Sequence, residues 1–188
     1  MKIKKIIAQK ELEVIGGNPQ IFRYWDDNKR NNIDILTSTD RPYRGVISYA
    51  TIGLSEYEIG LLSNNKDLRV ELLGACDEKD EFFANILATT AFEIMKKKKC
   101  IYGDIIQNVI SEYYSIDYEM KHVYLMNPFL WEGFETFELE NREIAWLLIV
   151  PISEQEKDYA IANGWEALED IFEKADIDIF NLNRKSII

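Results

Sequence analysis

An α+β domain is the fold class that this sequence predicts, with a mixed or antiparallel central β-sheet and helices packed on it. Three observations lead to it. Strand-like segments fill residues 20–76 and 121–152, one long amphipathic stretch from Asp80 to Lys99 separates them, and two helical segments follow Ser153. No Gly/Ser/Pro-rich linker and no internal repeat divides the 188 residues, so residues 1–188 are expected to form a single domain.

Ile3 to Ile15 has the spacing of an amphipathic helix, stopped by Gly16-Gly17 and then Asn18-Pro19. Gln20 to Asp26 and Ile33 to Thr39 read as strands joined by the polar turn Asp27 to Asn32. Gly45 to Leu54, rich in β-branched and aromatic residues, is the third strand. Leu68 to Cys76 is the fourth, with Val70, Leu72 and Gly74 on one parity. The helix from Asp80 to Lys99 carries a broad apolar face that includes Phe83, Ile86, Leu87 and Ile94. Its Lys96–Lys99 run opposes the macrodipole at the C-terminus. Tyr102-Gly103-Asp104 marks a turn, and Ile105 to Tyr118 fits a short helix or a loop equally. Lys121 to Met126 is a strand stopped by Asn127-Pro128. Phe134 to Glu140 and Ile144 to Ile152 form a hairpin around Glu140–Glu143. Ile144 to Val150 is apolar on both parities, as a central strand covered on both faces must be. Ser153 and Glu156 compose a capping box for a helix ending near Asn163-Gly164. The last helix, Trp165 to Lys174, should bury Leu168, Ile171 and Phe172.

Composition excludes several function classes. Hydrophobic residues make up 47% and charged residues 29%, which fits neither disorder nor a fibrous repeat. A chain this long buries roughly 70% of its extended surface, so it needs no metal or disulfide to fold. Lys plus Arg is 22 and Asp plus Glu is 33, a net charge of -11 that disfavours nucleic-acid binding through a broad basic face. The charge is uneven. Residues 1–100 hold 16 basic and 15 acidic side chains, whereas residues 101–188 hold 6 and 18. The longest apolar run, Ala145 to Ile152, is too short to span a bilayer. Gln9, Lys10, Glu11 and Glu13 break the apolar start, so a signal peptide is not expected. A cytoplasmic location with Cys76 and Cys100 reduced is.

The residues show no catalytic set. There is no glycine-rich phosphate loop, no dinucleotide fingerprint and no Gly-x-Ser-x-Gly elbow. His122 is a lone histidine in a strand, more often a packed residue than a base. Cys100 follows four lysines but has no visible base. Cys76, Cys100 and His122 would give at most three scattered metal ligands. The carboxylates are too numerous to single out an acid/base pair, and the spacing of Glu132, Glu135, Glu138 and Glu140 in one strand does not specify a glycosidase dyad. No cofactor, no metal and no enzymatic activity are expected.

Three stretches resemble the suppressor-of-fused family. The first is Tyr49 to Ser55, with the Thr51-Ile52-Gly53-Leu54-Ser55 ending. The second is Asn127-Pro128-Phe129-Leu130-Trp131 leading into Trp146 to Glu156, with its Pro151-Ile152-Ser153 and acidic helix start. The third is Asp176 to Ser186. The likeness runs from about residue 30 onward and leaves out the basic N-terminus and the Lys96–Lys99 run. It implies an α+β domain without enzymatic activity. Eukaryotic members hold a transcription factor through a short peptide that adds a strand. Small bacterial members resemble immunity proteins encoded beside polymorphic toxins, among them YqcF-type antitoxins, whose partner is the nuclease domain of a secreted toxin.

A nuclease carries a basic cleft, and an inhibitor gains association rate and selectivity from a complementary acidic face. The expected function is therefore an immunity protein that binds a cognate protein toxin, a basic nuclease domain, with no direct nucleic-acid or membrane partner. The acidic candidates are Glu135, Glu138, Glu140 and Glu143 on the hairpin, and Glu154, Glu156, Glu166, Glu169, Asp170 and Glu173 on the last helices. The aromatic anchor candidates are Tyr113, Tyr114, Trp131 and Trp165, with Trp131 and Trp146 serving equally well as core. Thr51, Gly53 and Ser55 read as turn architecture, and Arg184 as a partner for Asp176 or Asp178 or as a helix cap. A regulator that grips a linear peptide by strand addition is the alternative, favoured by an exposed sheet edge. A small-molecule enzyme is the third, favoured by a deep pocket joining His122, Cys100 or paired carboxylates.

Overall fold

The computed structural model describes residues 2–114 and 118–188. Helix α1 spans Lys2–Ile15 and turns Ile7, Glu11 and Ile15 inward at four-residue spacing. Gly16, at φ +70°, donates its N–H to the Leu12 carbonyl and ends the helix in the left-handed conformation that suits glycine. Strands β1 (Gln20–Trp25), β2 (Asn32–Thr39) and β3 (Val46–Ile52) follow, then a single 3-10 turn at Leu54–Glu56. Next come β4 (Leu61–Ser63), β5 (Lys66–Asp77) and helix α2 (Phe83–Lys97). The chain continues through β6 (Ile105–Ile106), β7 (Met120–Met126), β8 (Phe137–Leu139) and β9 (Arg142–Ser153). Helices α3 (Glu154–Asn163) and α4 (Trp165–Ala175) close it.

These strands form one mixed sheet of nine strands, in the order β1-β2-β3-β5-β9-β7-β6, with β4 beside β5 and β8 beside β9. The sheet is antiparallel except at its centre, where β5 and β9 run parallel from Asp67 opposite Arg142 to Leu73 opposite Leu148. Both central strands are buried on both faces beyond their first turn, which is why Ile144–Val150 is apolar on both parities. One face packs on α2 through Phe83, Leu87, Ala91 and Ile94, together with Ile35 and Leu72. The opposite face gathers Ile7 of α1, Trp146 and Val150 of β9, and Leu168 and Phe172 of α4. The α+β class and the single domain with helices on a mixed sheet are what the sequence predicts.

Three boundaries differ for physical reasons. The second helix starts at Phe83, because Asp80–Phe82 form a turn in which Phe83 N–H donates to the Asp80 carbonyl. It stops at Lys97, and Lys98 caps it at φ +50°, so only Lys96 and Lys97 sit in the last turn. The first arm of the late hairpin shortens to Phe137–Leu139, because Phe134 leaves the strand direction to stack between Trp131 and Trp146. The hairpin loop is the two-residue Glu140-Asn141, with the positive φ at Glu140 that a tight hairpin turn demands. Of the ambiguous stretch Ile105–Tyr118, the first two residues pair with β7 and the next form turns; residues 115–117 lie outside the described residues.

Candidate partner-binding groove

Two buried carboxylates explain the recurring motifs. Glu71 is the one carboxylate in the buried middle of β5, and it is fully buried. The turn Thr51–Ser55 wraps it. Its carboxylate accepts from the Thr51 hydroxyl (2.7 Å), the Ser55 hydroxyl (2.6 Å) and the backbone N–H groups of Gly53, Leu54 and Ser55 (2.8–3.1 Å). Burial pushes its pKa above the usual carboxylate range while these donors pull it back. Gly53 sits at φ +114°, and a Cβ there would meet the Lys4 side chain at 2.6 Å. This motif is architecture.

Glu156 is the second. The sequence places it on an exposed acidic face, but it is wholly buried. One of its oxygens accepts from the Ser153 N–H (3.0 Å), and the Ser153 hydroxyl accepts from the Glu156 N–H, which completes the capping box. Arg184 meets it in a bidentate pair at 2.6 and 2.8 Å and also donates to the Pro151 carbonyl. The guanidinium therefore pairs with Glu156 and not with Asp176 or Asp178. A desolvated arginine needs a charged partner, and Glu156 supplies both oxygens inside the protein. The same guanidinium lies over the Phe172 ring, 5.6 Å from its centre, and so fixes α4 against the tail. Trp131 is corrected too: it is only 8% exposed and packs edge-on against Phe134, so it belongs to the core.

The candidate chemical groups are occupied or held protonated. His122 Nδ1 accepts from the Asn108 N–H at 2.8 Å, so Nε2 carries the proton and donates to Glu154 at 2.8 Å. Burial lowers its pKa, which keeps the ring neutral. The Cys76 thiol donates to Asp80 and to the Phe180 carbonyl, and burial raises its pKa strongly. Burial pushes Cys100 up to about 12. Among the described residues no group of three or more His, Cys, Asp or Glu side chains is placed to hold a metal ion.

The acidic candidates divide into separate places. At the hairpin, Glu138 pairs with Lys66 (2.5 Å), Glu143 accepts from Asn64 (2.7 Å), and Glu140 stands exposed at the tip. Glu135 is exposed beside the shallow depression around Trp131 and Phe134. Glu154 is tied to His122 and Lys157. On α4, Glu166, Asp170 and Glu173 are exposed, and Glu169 is half-buried. Seven residue steps along β9 separate Glu143 from Val150, under α4, roughly 23 Å of strand. The acidic hairpin and acidic helix therefore do not make one face.

The α4 group borders a groove. A cavity of about 590 Å³ lies between α4, the segment after β7 and the tail, floored by Met126, Leu130, Val150 and Phe172. Phe129 and Tyr43 line it with more than half of their surface exposed. Glu169, Glu173 and Asp176 supply its carboxylates. Tyr102 and Tyr124 both donate to Glu169, the latter at 2.6 Å, and burial together with that carboxylate raises both phenol pKa values. Trp165, 42% exposed, stands edge-on to Tyr102 with ring centres 4.8 Å apart at the head of the same helix. Tyr113 and Tyr114 are spent on packing: their hydroxyls bond Thr89 and the Phe82 N–H. The sequence reading missed Phe129, Asp176 and Phe180 as groove residues, because loop aromatics far apart in the chain carry no periodic signal. It also missed Glu71, although a lone carboxylate in an apolar strand is such a signal.

The family model for suppressor of fused protein matches residues 29–185. The chain is 41% identical to immunity protein YqcF of Bacillus subtilis (strain 168) over 186 residues, covering 98% of this chain and 96% of that protein. A suppressor-of-fused homolog from Neisseria gonorrhoeae has the same fold, with a TM-score of 0.76 at 15% identity over 100% of this chain and 98% of that one. The Sufu-Fu complex matches with a TM-score of 0.67 at 12% identity, over 98% and 90% of the two chains. The motif turn around Glu71, the Ser153–Glu156–Arg184 clamp and these matches agree: the chain belongs to the suppressor of fused family.

Proposed function

We propose that this protein is an immunity protein that neutralises a cognate protein toxin by binding it and catalyses no reaction. The observation that carries the reading is the near-full-length 41% identity to a protein named as an immunity protein. The toxin is a basic nuclease domain. An excess of carboxylates in residues 101–188 favours a cationic partner, and the α4 groove combines apolar floor with carboxylate rim, the two elements of a selective interface. Within it, Glu173 and Asp176 are the partner-facing carboxylates, Trp165, Glu166 and Asp170 extend the contact along the exposed side of α4, and Glu169 positions the groove wall through Tyr102 and Tyr124. Among the described residues no helix is long and apolar enough to cross a membrane. Co-expression in one cell with the toxin domain encoded beside this gene tests it. Survival with this protein present and death without it is the expected result; death in both cases would discard the reading.

One observation favours the second reading, capture of a linear peptide by strand addition: β1 is an exposed sheet edge.

A further inference from the structure

Edge strands are normally blunted by prolines, charged side chains or bulges; Gln20–Trp25 has no proline, lysine or bulge, and its one charge, Arg23, is paired with Asp34 of β2. Among the described residues no strand lies beyond it. Ile21, Phe22 and Trp25 each leave half or more of their surface exposed. The ladder phase says which backbone groups are free. Asp26 N–H donates to the Asn31 carbonyl at 3.1 Å, so in the alternating antiparallel pattern Tyr24, Phe22 and Gln20 bond inward to β2. The N–H and C=O groups of Ile21, Arg23 and Trp25 point outward.

That outward set is self-complementary. If a second β1 runs antiparallel with its two-fold axis at Arg23, Ile21 faces Trp25 of the other copy in hydrogen-bonded pairs, and Arg23 faces its own copy. Every outward N–H and C=O then finds a partner. On the opposite side Phe22 faces Tyr24 of the other copy in the closer, non-hydrogen-bonded pairs, an aromatic contact made twice. The only like charges brought together are the two Arg23 side chains, and each is already neutralised by a bidentate bond to its own Asp34 at 2.7 and 3.0 Å.

Charge also selects a second copy over a cationic partner here. The chain carries a net -11, which would keep copies apart if they met at an acidic surface. The β1–β2 hairpin is neutral, with Arg23, Lys29 and Arg30 balancing Asp26, Asp27 and Asp34. It also lies four strand spacings from β9, about 19 Å across the sheet.

We propose that two copies of this protein pair their β1 strands antiparallel about Arg23, joining two nine-stranded sheets edge to edge in a symmetric dimer. A single strand pair falls short of the roughly 800 Å² per partner of a standard interface, so the dimer is concentration-dependent. Both α4 grooves remain open in it, one in each copy.

Sedimentation velocity of the purified protein over a wide concentration range tests this. Twice the 22.0 kDa chain mass should appear as concentration rises. The double variant Ile21→Lys/Trp25→Lys sets lysines opposite each other and should stay monomeric, with an unchanged circular dichroism spectrum. The variant Ile21→Lys/Trp25→Glu sets lysine opposite glutamate and should recover the dimer. A wild-type protein that is monomeric throughout overturns the proposal, as does a dimer that the double-lysine variant leaves intact. A monomer that takes up a linear peptide along β1 overturns it in favour of strand addition.

Discussion

Glu11 shows how one buried side chain sets a pH dependence. It faces inward from α1, fully buried, and accepts from the Trp146 indole N–H at 3.1 Å while its other oxygen has no partner. Burial first, and the nearby Glu71 second, raise its pKa well above the usual 4.5. The folded state then holds a proton that the unfolded state releases, so stability falls as pH rises from about 4.5 toward the raised value. Glu11→Gln should flatten that fall, keeping the acceptor for Trp146 without the titration. Thermal melts between acid and mildly alkaline pH measure it; an unchanged slope would contradict the assignment. Arg184 makes the complementary case. Removing it leaves the Glu156 carboxylate buried without its partner, so Arg184→Ala should lower the unfolding free energy in urea by about 3–5 kcal/mol. A loss near that of a surface pair, below about 1 kcal/mol, would contradict the clamp. The capping role of Glu156 was legible in the sequence but its pairing with Arg184 was not, because Arg184 lies 28 positions away with Asp176 and Asp178 much nearer.

At the scale of elements, α4 and the β8–β9 hairpin make a direct comparison. Both are acidic in sequence, but Glu138 and Glu143 are engaged by Lys66 and Asn64, whereas Glu173 and Asp176 stand at an open groove. Reversing Glu173 and Asp176 to lysine should slow association with a cationic toxin by tenfold or so at low salt and weaken its salt dependence. Reversing Glu138, Glu140 and Glu143 should do much less. Stopped-flow association rates over a salt series separate the two, and a larger effect at the hairpin would move the binding face there. Periodicity located most elements here, since helix caps and parity are local. The apolar run Ile144–Val150 announced a central strand, and Ser153 with Glu156 announced the start of α3. The parallel pairing of β5 with β9 was not legible, because it joins segments about 75 residues apart through a crossover that local chemistry does not record. The groove was hidden for the same reason: its walls come from the segment after β7, from α4 and from the tail.

For the whole molecule, the charge is distributed by region. The neutral β1 edge and the acidic α4 groove lie apart on one sheet, so self-association and partner binding need not compete. The sequence showed the excess of carboxylates in the second half but not its division among the hairpin, α3 and α4, which depends on where β9 ends and α4 folds back. The buried thiols and the doubly bonded His122 are engaged in packing and hydrogen bonds, and the proposed contact at the groove rests on shape and charge. Under the proposed function, protection comes from occupying the toxin and not from transforming it. Titrating a fixed amount of the toxin domain encoded beside this gene with this protein, and following its nuclease activity, tests that claim directly. A linear loss of activity that ends at one chain per toxin is the expected result. Complete inactivation at a small fraction of one equivalent, deepening with time, would reveal turnover and contradict it.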